Sequence, residues 1–290
     1  MQVVTRFAPS PTGRLHLGHA FSALKAHDFA RARDGAFLLR IEDIDAGRSR
    51  SEFVDGIIED MLWLGLEWDG EIVYQSERLD LYADALERLK AAGLVYPCIC
   101  TRADIAASAS APHGEEGPAY PGTCRGVAVD LSRPHAWRLD IAKALNSLFS
   151  RGSGSPASEK GLGSRLRGNT LTFSNDGLEI PADPAPFGDL VLARKDAPAS
   201  YHLAVVADDA AQGVTDVVRG RDLLAATHVH RLLQTLLDLP TPRYHHHELL
   251  TDESGRRLAK RHGAPTLADL RASGADPADL VVALRARTPT

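Results

Sequence analysis

Residues 3–41 spell out a strand, a loop, a helix and a second strand, and that order constrains the fold more than any other feature. Val3, Val4, Phe7 and Ala8 form a short apolar segment that stops at Pro9, and Ser10-Pro11-Thr12-Gly13 then supplies turn residues. A helical stretch is predicted from Leu17 to Arg33. The run Ala36-Phe37-Leu38-Leu39-Arg40-Ile41 is nearly all apolar, which suits a strand covered on both faces of a parallel sheet. The chain therefore opens with a βαβ unit. Its 290 residues, 44% of them hydrophobic and 24% charged, leave room to complete such a sheet around a real core.

Further along, helices are predicted over Ser51 to Leu64, stopped by Gly65, and over Ser76 to Ala92, stopped by Gly93. In the second of these, Leu79, Tyr82, Leu86 and Leu89 recur at helical spacing and are read as core. Periodicity fades from Tyr96 to Arg125, and the Gly/Ser/Arg-rich stretch Ser147 to Gly168 reads as a mobile surface insertion. Strand signals resume at Leu190 to Leu192, Tyr201 to Val206 and Val217-Val218; a helix is predicted over Asp222 to Leu237, and another strand over Tyr244 to Leu250. Two short helices, Leu267 to Ala272 and Pro277 to Ala286, follow the polar turn Thr251 to Gly255. The expected organisation is an α/β nucleotide-binding domain in two halves, 1–95 and 191–240, around an inserted subdomain, 96–190. Residues 241–290 supply a loop region and a short helical part. Ligands belong at the carboxyl ends of the strands.

Lys+Arg 33 against Asp+Glu 38 gives a net charge of -5, which excludes a generally polycationic nucleic-acid coat but not a local basic groove. Three cysteines are an odd number in a chain this long, so a disulfide framework is not expected, and a reducing cytoplasmic setting is. No signal-peptide pattern or membrane-length apolar run is present.

His16-Leu17-Gly18-His19 stands where strand and loop pass into a helix, so two imidazoles and the free N–H groups of the helix start can face one anion. A triphosphate is such an anion: displacement at its α-phosphate builds charge that these donors stabilise. Gly18 clears space for an adenine or ribose. Near the far end, Arg256-Arg257-Leu258-Ala259-Lys260-Arg261-His262-Gly263 forms a basic loop that can close on leaving pyrophosphate. A basic run by itself is more often a solvated surface loop.

Taken in order, Arg6-Phe7-Ala8-Pro9-Ser10-Pro11-Thr12-Gly13, His16-Leu17-Gly18-His19, Arg40-Ile41-Glu42-Asp43-Ile44-Asp45 and Leu258-Ala259-Lys260-Arg261 resemble a class I glutamyl-type aminoacyl-tRNA synthetase over nearly the whole chain. The resemblance implies a Rossmann-like parallel sheet with an inserted zinc/acceptor-type subdomain. It also implies an enzyme that adenylates L-glutamate with ATP and Mg²⁺, then transfers glutamyl to RNA. It assigns His16, His19 and Lys260 to catalysis, and His16, Gly18, His19, Leu258 and Lys260 to ATP. The usual loop, Lys-hydrophobic-Ser-Lys-Ser/Arg, is altered at Arg257 and Ala259 but keeps Lys260.

Glutamate carries two carboxylates and one ammonium, so a selective site needs arginine forks and a carboxylate. Arg6 and Arg219 are the arginine candidates and Glu42 the ammonium partner. Ser10 and Tyr201 add hydrogen bonds, and Phe7, Ala8 and Pro9 complete the binding segment. Arg221 competes with Arg219, and Arg6 with Glu42 also reads as a structural ion pair.

Cys98, Cys100 and Cys124 suggest a structural Zn²⁺ site that lacks a fourth ligand. On general chemistry His113 is the better candidate, since the Tyr120 phenol must lose a proton near pKa 10 before it binds well. The resemblance favours Tyr120: a shortened branch of the family, the glutamyl-queuosine tRNA(Asp) synthetases, shows Cys-x-Cys followed by Tyr-x-x-x-Cys. For His245-His246-His247, a strand leading into the Lys260 loop is explanation enough.

Only thirty residues follow Lys260 (290 - 260 = 30), too few for a folded anticodon-reading domain. With the Cys/Tyr pattern, this favours the shortened branch, whose members attach glutamate to queuosine in the anticodon of tRNA(Asp). The expected partners are then ATP, L-glutamate and queuosine-bearing tRNA(Asp), with no membrane and no DNA. Arg151, Arg165 and Arg167 are possible phosphate contacts, although a solvated linker explains them as well. Rival readings are a short glutamyl-tRNA synthetase of ordinary specificity, a small-molecule nucleotidyltransferase and a non-catalytic synthetase-like RNA-binding or regulatory protein.

Overall fold

The computed structural model describes residues 2–101, 103–105, 120–150, 166–167, 170–251 and 265–287. The opening unit is β1 (Val4–Phe7), α1 (Leu17–Arg31) and β2 (Ala36–Ile41). The two strands pair in parallel, from Val4 opposite Ala36 to Phe7 opposite Leu39. Helix α1 packs a row of alanines, Ala20, Ala23, Ala26 and Ala30, onto the sheet; all are good helix formers, and their small side chains let the backbones approach closely. Its return to β2 is tight: a Cβ on Gly35 would lie 2.6 Å from the Val3 carbonyl. Phe37, Leu39, Arg40 and Ile41 are fully buried, as a strand covered on both faces requires.

Helix α2 (Ser51–Trp63) leads to β3 (Val73–Tyr74), which pairs with β2 in parallel. Helix α3 (Leu79–Ala91) buries Tyr82, Leu86 and Leu89 as expected, but Leu79 is 40% exposed at the helix start, before the apolar stripe meets the core. Strand β4 (Val95–Cys98) pairs antiparallel with β5 (Ala136–Leu139). Helix α4 (Ile141–Ser150) follows, so Ser147 to Ser150 are helical rather than part of a loose insertion. Ile141, Ala144 and Leu148 lie buried along one face of α4 and hold it down. Residues 151–165 and 168, the rest of that expected insertion, lie outside the described residues, as do Arg151 and Arg165.

Strand β6 (Leu166–Arg167) pairs antiparallel with β7 (Thr170–Asn175), which turns through Asp176-Gly177 into β8 (Leu178–Pro181). Both turn residues have positive φ, +49° and +81°, the pairing that a two-residue hairpin needs. Strand β9 (Val191–Ala193) pairs with β5.

Helix α5 (Tyr201–Ala211) overturns the strand expected at Tyr201 to Val206. A short apolar run does not distinguish a buried strand from a buried helix. Here the Ser200 hydroxyl caps Leu203 N, and the burial runs on through Ala207, Asp208 and Asp209. Strand β10 (Asp216–Gly220), helix α6 (Leu224–Leu236), strand β11 (Arg243–His247), helix α7 (Leu267–Ala272) and helix α8 (Pro277–Ala286) complete the fold. The last expected strand thus ends at His247 rather than Leu250.

Strands β10, β11 and β7 are parallel, with Arg219 opposite His246 and Tyr244 opposite Asn175. Thr215 N donates to the Val4 carbonyl at 3.0 Å, and Val4 N donates to Thr215 Oγ1 at 2.8 Å, which sets β1 beside β10. The order is thus β3-β2-β1-β10-β11-β7, reversing between β1 and β10. A ligand crevice opens at such a reversal, at the strands' carboxyl ends. Among the described residues no helix is long and apolar enough to cross a membrane.

Candidate active site

A cleft of about 550 Å³ opens at that reversal. It gathers Arg6, Phe7, Ala8, Pro9, Ser10, His16, Gly18, His19, Glu42, Tyr201 and Arg219, every expected substrate residue that the structure describes. Leu258 and Lys260 lie outside the described residues, as does the rest of the basic loop. A Cβ at Gly220 would lie 2.5 Å from the Asp222 carboxylate and 2.7 Å from a Leu249 methyl, so a side chain at the end of β10 would have to displace both of these side chains at the rim of the cleft.

His16 and His19 cap α1 reciprocally. Gly18 N donates to His16 Nδ1 at 3.0 Å, and His16 N donates to His19 Nδ1 at 3.2 Å. With Nδ1 accepting in both rings, each neutral imidazole carries its proton on Nε2. The rings lie 3.9 Å apart, and no acidic residue stands in the first helical turn to compete for an anion. The result is a helix start with its dipole and two paired imidazoles on the cleft.

Beside it runs an alternating ladder of buried charges. Arg6 donates from Nε to Asp209 Oδ1 at 3.0 Å, and Arg40 donates to the same oxygen at 2.8 Å. Arg40 reaches Gln212 Oε1 at 2.8 Å and Glu42 Oε1 at 3.4 Å. Asp208 accepts from Gln75, Arg78 and Tyr82 at 2.7–2.8 Å. Burial raises the Glu42 carboxyl above its usual range, although Arg40 and Arg6 pull the other way. Burial acts on Asp209 in the same sense, but there the two arginines win and hold the carboxyl below its usual range.

Arg219 is different. Its Nη2 donates to Thr227 Oγ1 at 2.7 Å and to the Leu223 carbonyl at 3.0 Å, and its Nε to His246 Nε2 at 3.2 Å. Nη1 makes two long contacts, to the Tyr201 hydroxyl at 3.3 Å and His230 Nδ1 at 3.5 Å. Every partner is uncharged. Burial, then the Arg219 charge, hold His246 down to about 3 and His230 far below its usual value. Among the described residues no carboxylate pairs with Arg219, which is only 5% exposed. An uncompensated buried guanidinium is costly, and an anionic ligand relieves that cost. Arg221, the competing candidate, points to solvent and pairs with Glu248, so Arg219 rather than Arg221 lines the cleft.

The cysteine segment forms a second cluster. The sulfurs of Cys98, Cys100 and Cys124 lie within 4.8 Å of one another and could hold a metal ion. Tyr120 Oη sits 3.4 Å from Cys98 Sγ and 3.5 Å from Cys100 Sγ, and Cys100 Sγ lies 3.5 Å from Cys124 Sγ. A tetrahedral zinc site has edges of about 3.8 Å between sulfurs and about 3.5 Å from sulfur to oxygen, so this donor set fits one. Cys124 N donates to Tyr120 Oη at 2.8 Å and favours a phenolate, and the Arg138 guanidinium lies 3.8 Å from the ring centre. Burial and then the bonds to the three cysteines nevertheless hold the Tyr120 hydroxyl well above its usual value, so the phenol ionises only where a metal takes the proton's place. Burial pushes the Cys100 thiol up to about 11. Burial also opposes ionisation of Cys124, yet hydrogen bonds from Tyr120 and the main chain at Ile99 bring it down to about 7. His113 lies outside the described residues. Lys195 clamps the cluster to the body through the Ile99 and Cys100 carbonyls at 2.7 and 3.1 Å, and Arg125 does so through Asp189 at 2.6 Å.

Arg40, Asp208, Asp209, Thr227 and His246 had no role in the site on the sequence reading. For the first three a signal existed: a charge inside an apolar buried run has to be paired. Thr227 and His246 carried none, since their roles come from packing across elements distant in sequence.

The family model for class I tRNA synthetases (E and Q), catalytic domain, matches residues 2–128 and 174–289. A glutamyl-Q tRNA(Asp) synthetase of Rhodobacter capsulatus is 48% identical, over 96% of this chain and 98% of its own length. Another from Deinococcus radiodurans is 46% identical, over 100% of this chain and 90% of its own length. A solved glutamate tRNA ligase of Elizabethkingia meningosepticum, in complex with its amino acid, superposes with a TM-score of 0.75 at 23% identity. That match covers 99% of this chain, which spans 61% of the ligase chain.

Proposed function

Because the chain belongs to the class I tRNA synthetase family for glutamate and glutamine, with its α/β parallel-sheet fold, we propose that it activates L-glutamate with ATP and transfers the glutamyl group to queuosine in the anticodon of tRNA(Asp). Relatives 46–48% identical over nearly their full lengths carry the name of that activity. The observation in this molecule that carries the reading is Arg219, a buried cation with no carboxylate partner among the described residues, in the same cleft as the histidine-capped helix start.

The glutamate side-chain carboxylate takes Nη1 of Arg219 and the Tyr201 hydroxyl, whose present contacts are the longest around that guanidinium. The ammonium group sits against Glu42, and Arg6, held by Asp209, turns its charge toward the α-carboxylate. Ser10 and the Phe7-Ala8-Pro9 main chain close the amino-acid end. ATP lies along Gly18 and Leu258 with its phosphates toward His16, His19 and Lys260, and brings Mg²⁺, which neutralises phosphate charge. An oxygen of the glutamate α-carboxylate attacks the α-phosphorus and pyrophosphate leaves. The Nε2–H groups and the helix start stabilise the charge that builds on the equatorial oxygens. A hydroxyl of the queuosine cyclopentenediol then attacks the anhydride carbonyl, AMP departs, and the hydroxyl proton passes to solvent. AMP is a good enough leaving group that no side chain has to act as base.

Residues 96–190 carry the inserted module between catalytic segments 1–95 and 191–240, but β7 (Thr170–Asn175) and β11 (Arg243–His247) pair into the parallel sheet. The catalytic domain therefore takes in the end of the insertion and the start of 241–290, whose remainder carries the ATP loop and terminal helices. Structural Zn²⁺ is held by Cys98, Cys100, Cys124 and Tyr120. ATP and tRNA make the cytoplasm the compartment of this reaction.

The test is ATP–pyrophosphate exchange with L-glutamate in the absence of RNA, followed by transfer of labelled glutamate to tRNA(Asp) with and without queuosine. Exchange without RNA and transfer only to the queuosine-bearing tRNA support the reading. Charging of tRNA(Glu) would identify an ordinary glutamyl-tRNA synthetase, and absence of exchange a non-catalytic protein.

A further inference from the structure

A buried arginine is ordinarily anchored by a carboxylate that takes the Nε–Nη2 edge in two parallel bonds and cancels its charge. In this cleft, that edge of Arg219 is taken by two neutral groups. His246 Nε2 accepts from Nε at 3.2 Å, Thr227 Oγ1 accepts from Nη2 at 2.7 Å, and these two acceptors lie 3.2 Å from each other. His246 is held in turn: its Nδ1 lies 2.6 Å from Asn175 Oδ1, on the neighbouring strand β7. Since Asn175 Oδ1 can only accept, Nδ1 carries the proton and Nε2 presents a lone pair to Arg219.

We propose that His246 and Thr227 act together as a neutral replacement for that carboxylate, fixing the orientation of the Arg219 fork while leaving its whole charge to the substrate, and that Asn175 sets the tautomer that makes this possible. The proposal rests on the reading of Arg219 as the partner of the glutamate side chain. His246, Thr227 and Asn175 are positioning residues: they touch the guanidinium or one another, and Nη1 faces the ligand. A carboxylate in their place would anchor the same fork equally well and remove the charge difference by which glutamate is told from neutral amino acids. Burial beside Arg219 keeps His246 neutral, in agreement with this geometry.

The experiment measures L-glutamate and ATP binding by calorimetry on the full chain, with thermal melting as the check on folding. His246→Leu removes one acceptor and is expected to weaken glutamate binding at least tenfold while leaving ATP binding within twofold. His246→Gln, whose Oε1 can take the place of Nε2, restores glutamate binding to within about threefold of wild type. Thr227→Asp adds a charge to the same edge and is expected to weaken glutamate at least tenfold with ATP unchanged, whereas Thr227→Ser stays near wild type. Equal losses of glutamate and ATP affinity in His246→Leu, or wild-type glutamate binding in both His246→Leu and Thr227→Asp, would overturn the proposal. If His246→Leu does not fold, the Thr227 pair decides by the same criteria. Arg219→Gln separates the two layers: unchanged glutamate binding in that variant defeats the underlying reading, while a loss there without one in the Thr227→Asp and His246→Leu variants defeats only the positioning role.

Discussion

Arg40, on the second strand, donates to Asp209 at 2.8 Å from a side chain with no solvent exposure, tying the opening βαβ unit to helix α5. Asp209 takes Arg6 on the same oxygen, so one carboxylate serves two buried cations. Asp209→Asn removes that charge while keeping the shape, and is expected to cost about 3–5 kcal/mol in urea unfolding, as for other broken buried pairs. A loss below 1 kcal/mol would show that the ladder is not what joins these elements.

The same pairing sets an acid limit on stability. Against its burial, the two arginines hold the Asp209 carboxyl below its usual range, so folding favours the ionised form. The contribution is complete above the unfolded value near 3.9 and disappears as pH falls through the lower folded value. Urea midpoints from pH 6 to pH 3 should therefore decline more steeply in wild type than in Asp209→Asn; parallel curves would contradict this.

Glu42 has the opposite sign. Burial raises its carboxyl, so a proton enters at a higher pH than in an ordinary glutamate side chain. As the ammonium partner it has to be ionised, and glutamate affinity should fall as pH drops through that raised range, before the substrate's own side chain titrates near 4.3. Glu42→Gln should bind glutamate at least tenfold more weakly at pH 7.5 and show little of this pH dependence. The same slope in both proteins would remove Glu42 from the role.

The reciprocal histidine cap allows structure and chemistry to be separated. His16→Asn keeps a good capping acceptor for Gly18 N, so melting should change little, whereas the adenylation rate should fall at least tenfold, about 1.4 kcal/mol. His19→Ala loses both, with about 1 kcal/mol of stability as well. Lys260→Ala should lower the adenylation rate at least tenfold with the fold intact. Pyrophosphate exchange at wild-type rate in any of these variants would cancel that residue's assigned role.

For the cysteine cluster, protein purified without chelator should contain one zinc, and less than half an equivalent would sink the assignment. Tyr120→Phe should lose metal more readily to chelator than wild type, while His113→Ala should not. The reverse ranking would transfer the fourth position to His113.

The opening unit was legible because its signals are local: Pro9 ends one strand, turn residues follow, and apolar runs mark α1 and β2. The site residues that came with the Arg6 and His16 motifs meet in one cleft for the same reason, since both motifs lie on the short path from the carboxyl end of β1 to the start of α1. Tyr201 to Val206 misled because its run of apolar residues satisfies a strand as readily as a helix buried on most sides. The β7–β8 hairpin had a signal in Asp176-Gly177 that the composition of the neighbouring stretch obscured. The Arg219 cradle had none, since Asn175, Thr227 and His246 come from three separate elements that only the folded sheet and its covering helix bring together.

The joint between Val4 and Thr215 fixes a timetable for the nascent chain. Strand β1 leaves the ribosome 211 residues before Thr215, which sets its other neighbour in place. At roughly 5–20 residues per second that wait lasts about 10–40 s, with one edge of β1 unpaired throughout. A bare strand edge invites pairing with other chains. The central joint of the sheet thus stays open until β10 emerges, and slowing translation between β2 and β10 should lower the soluble yield even though every residue of the finished enzyme is unchanged.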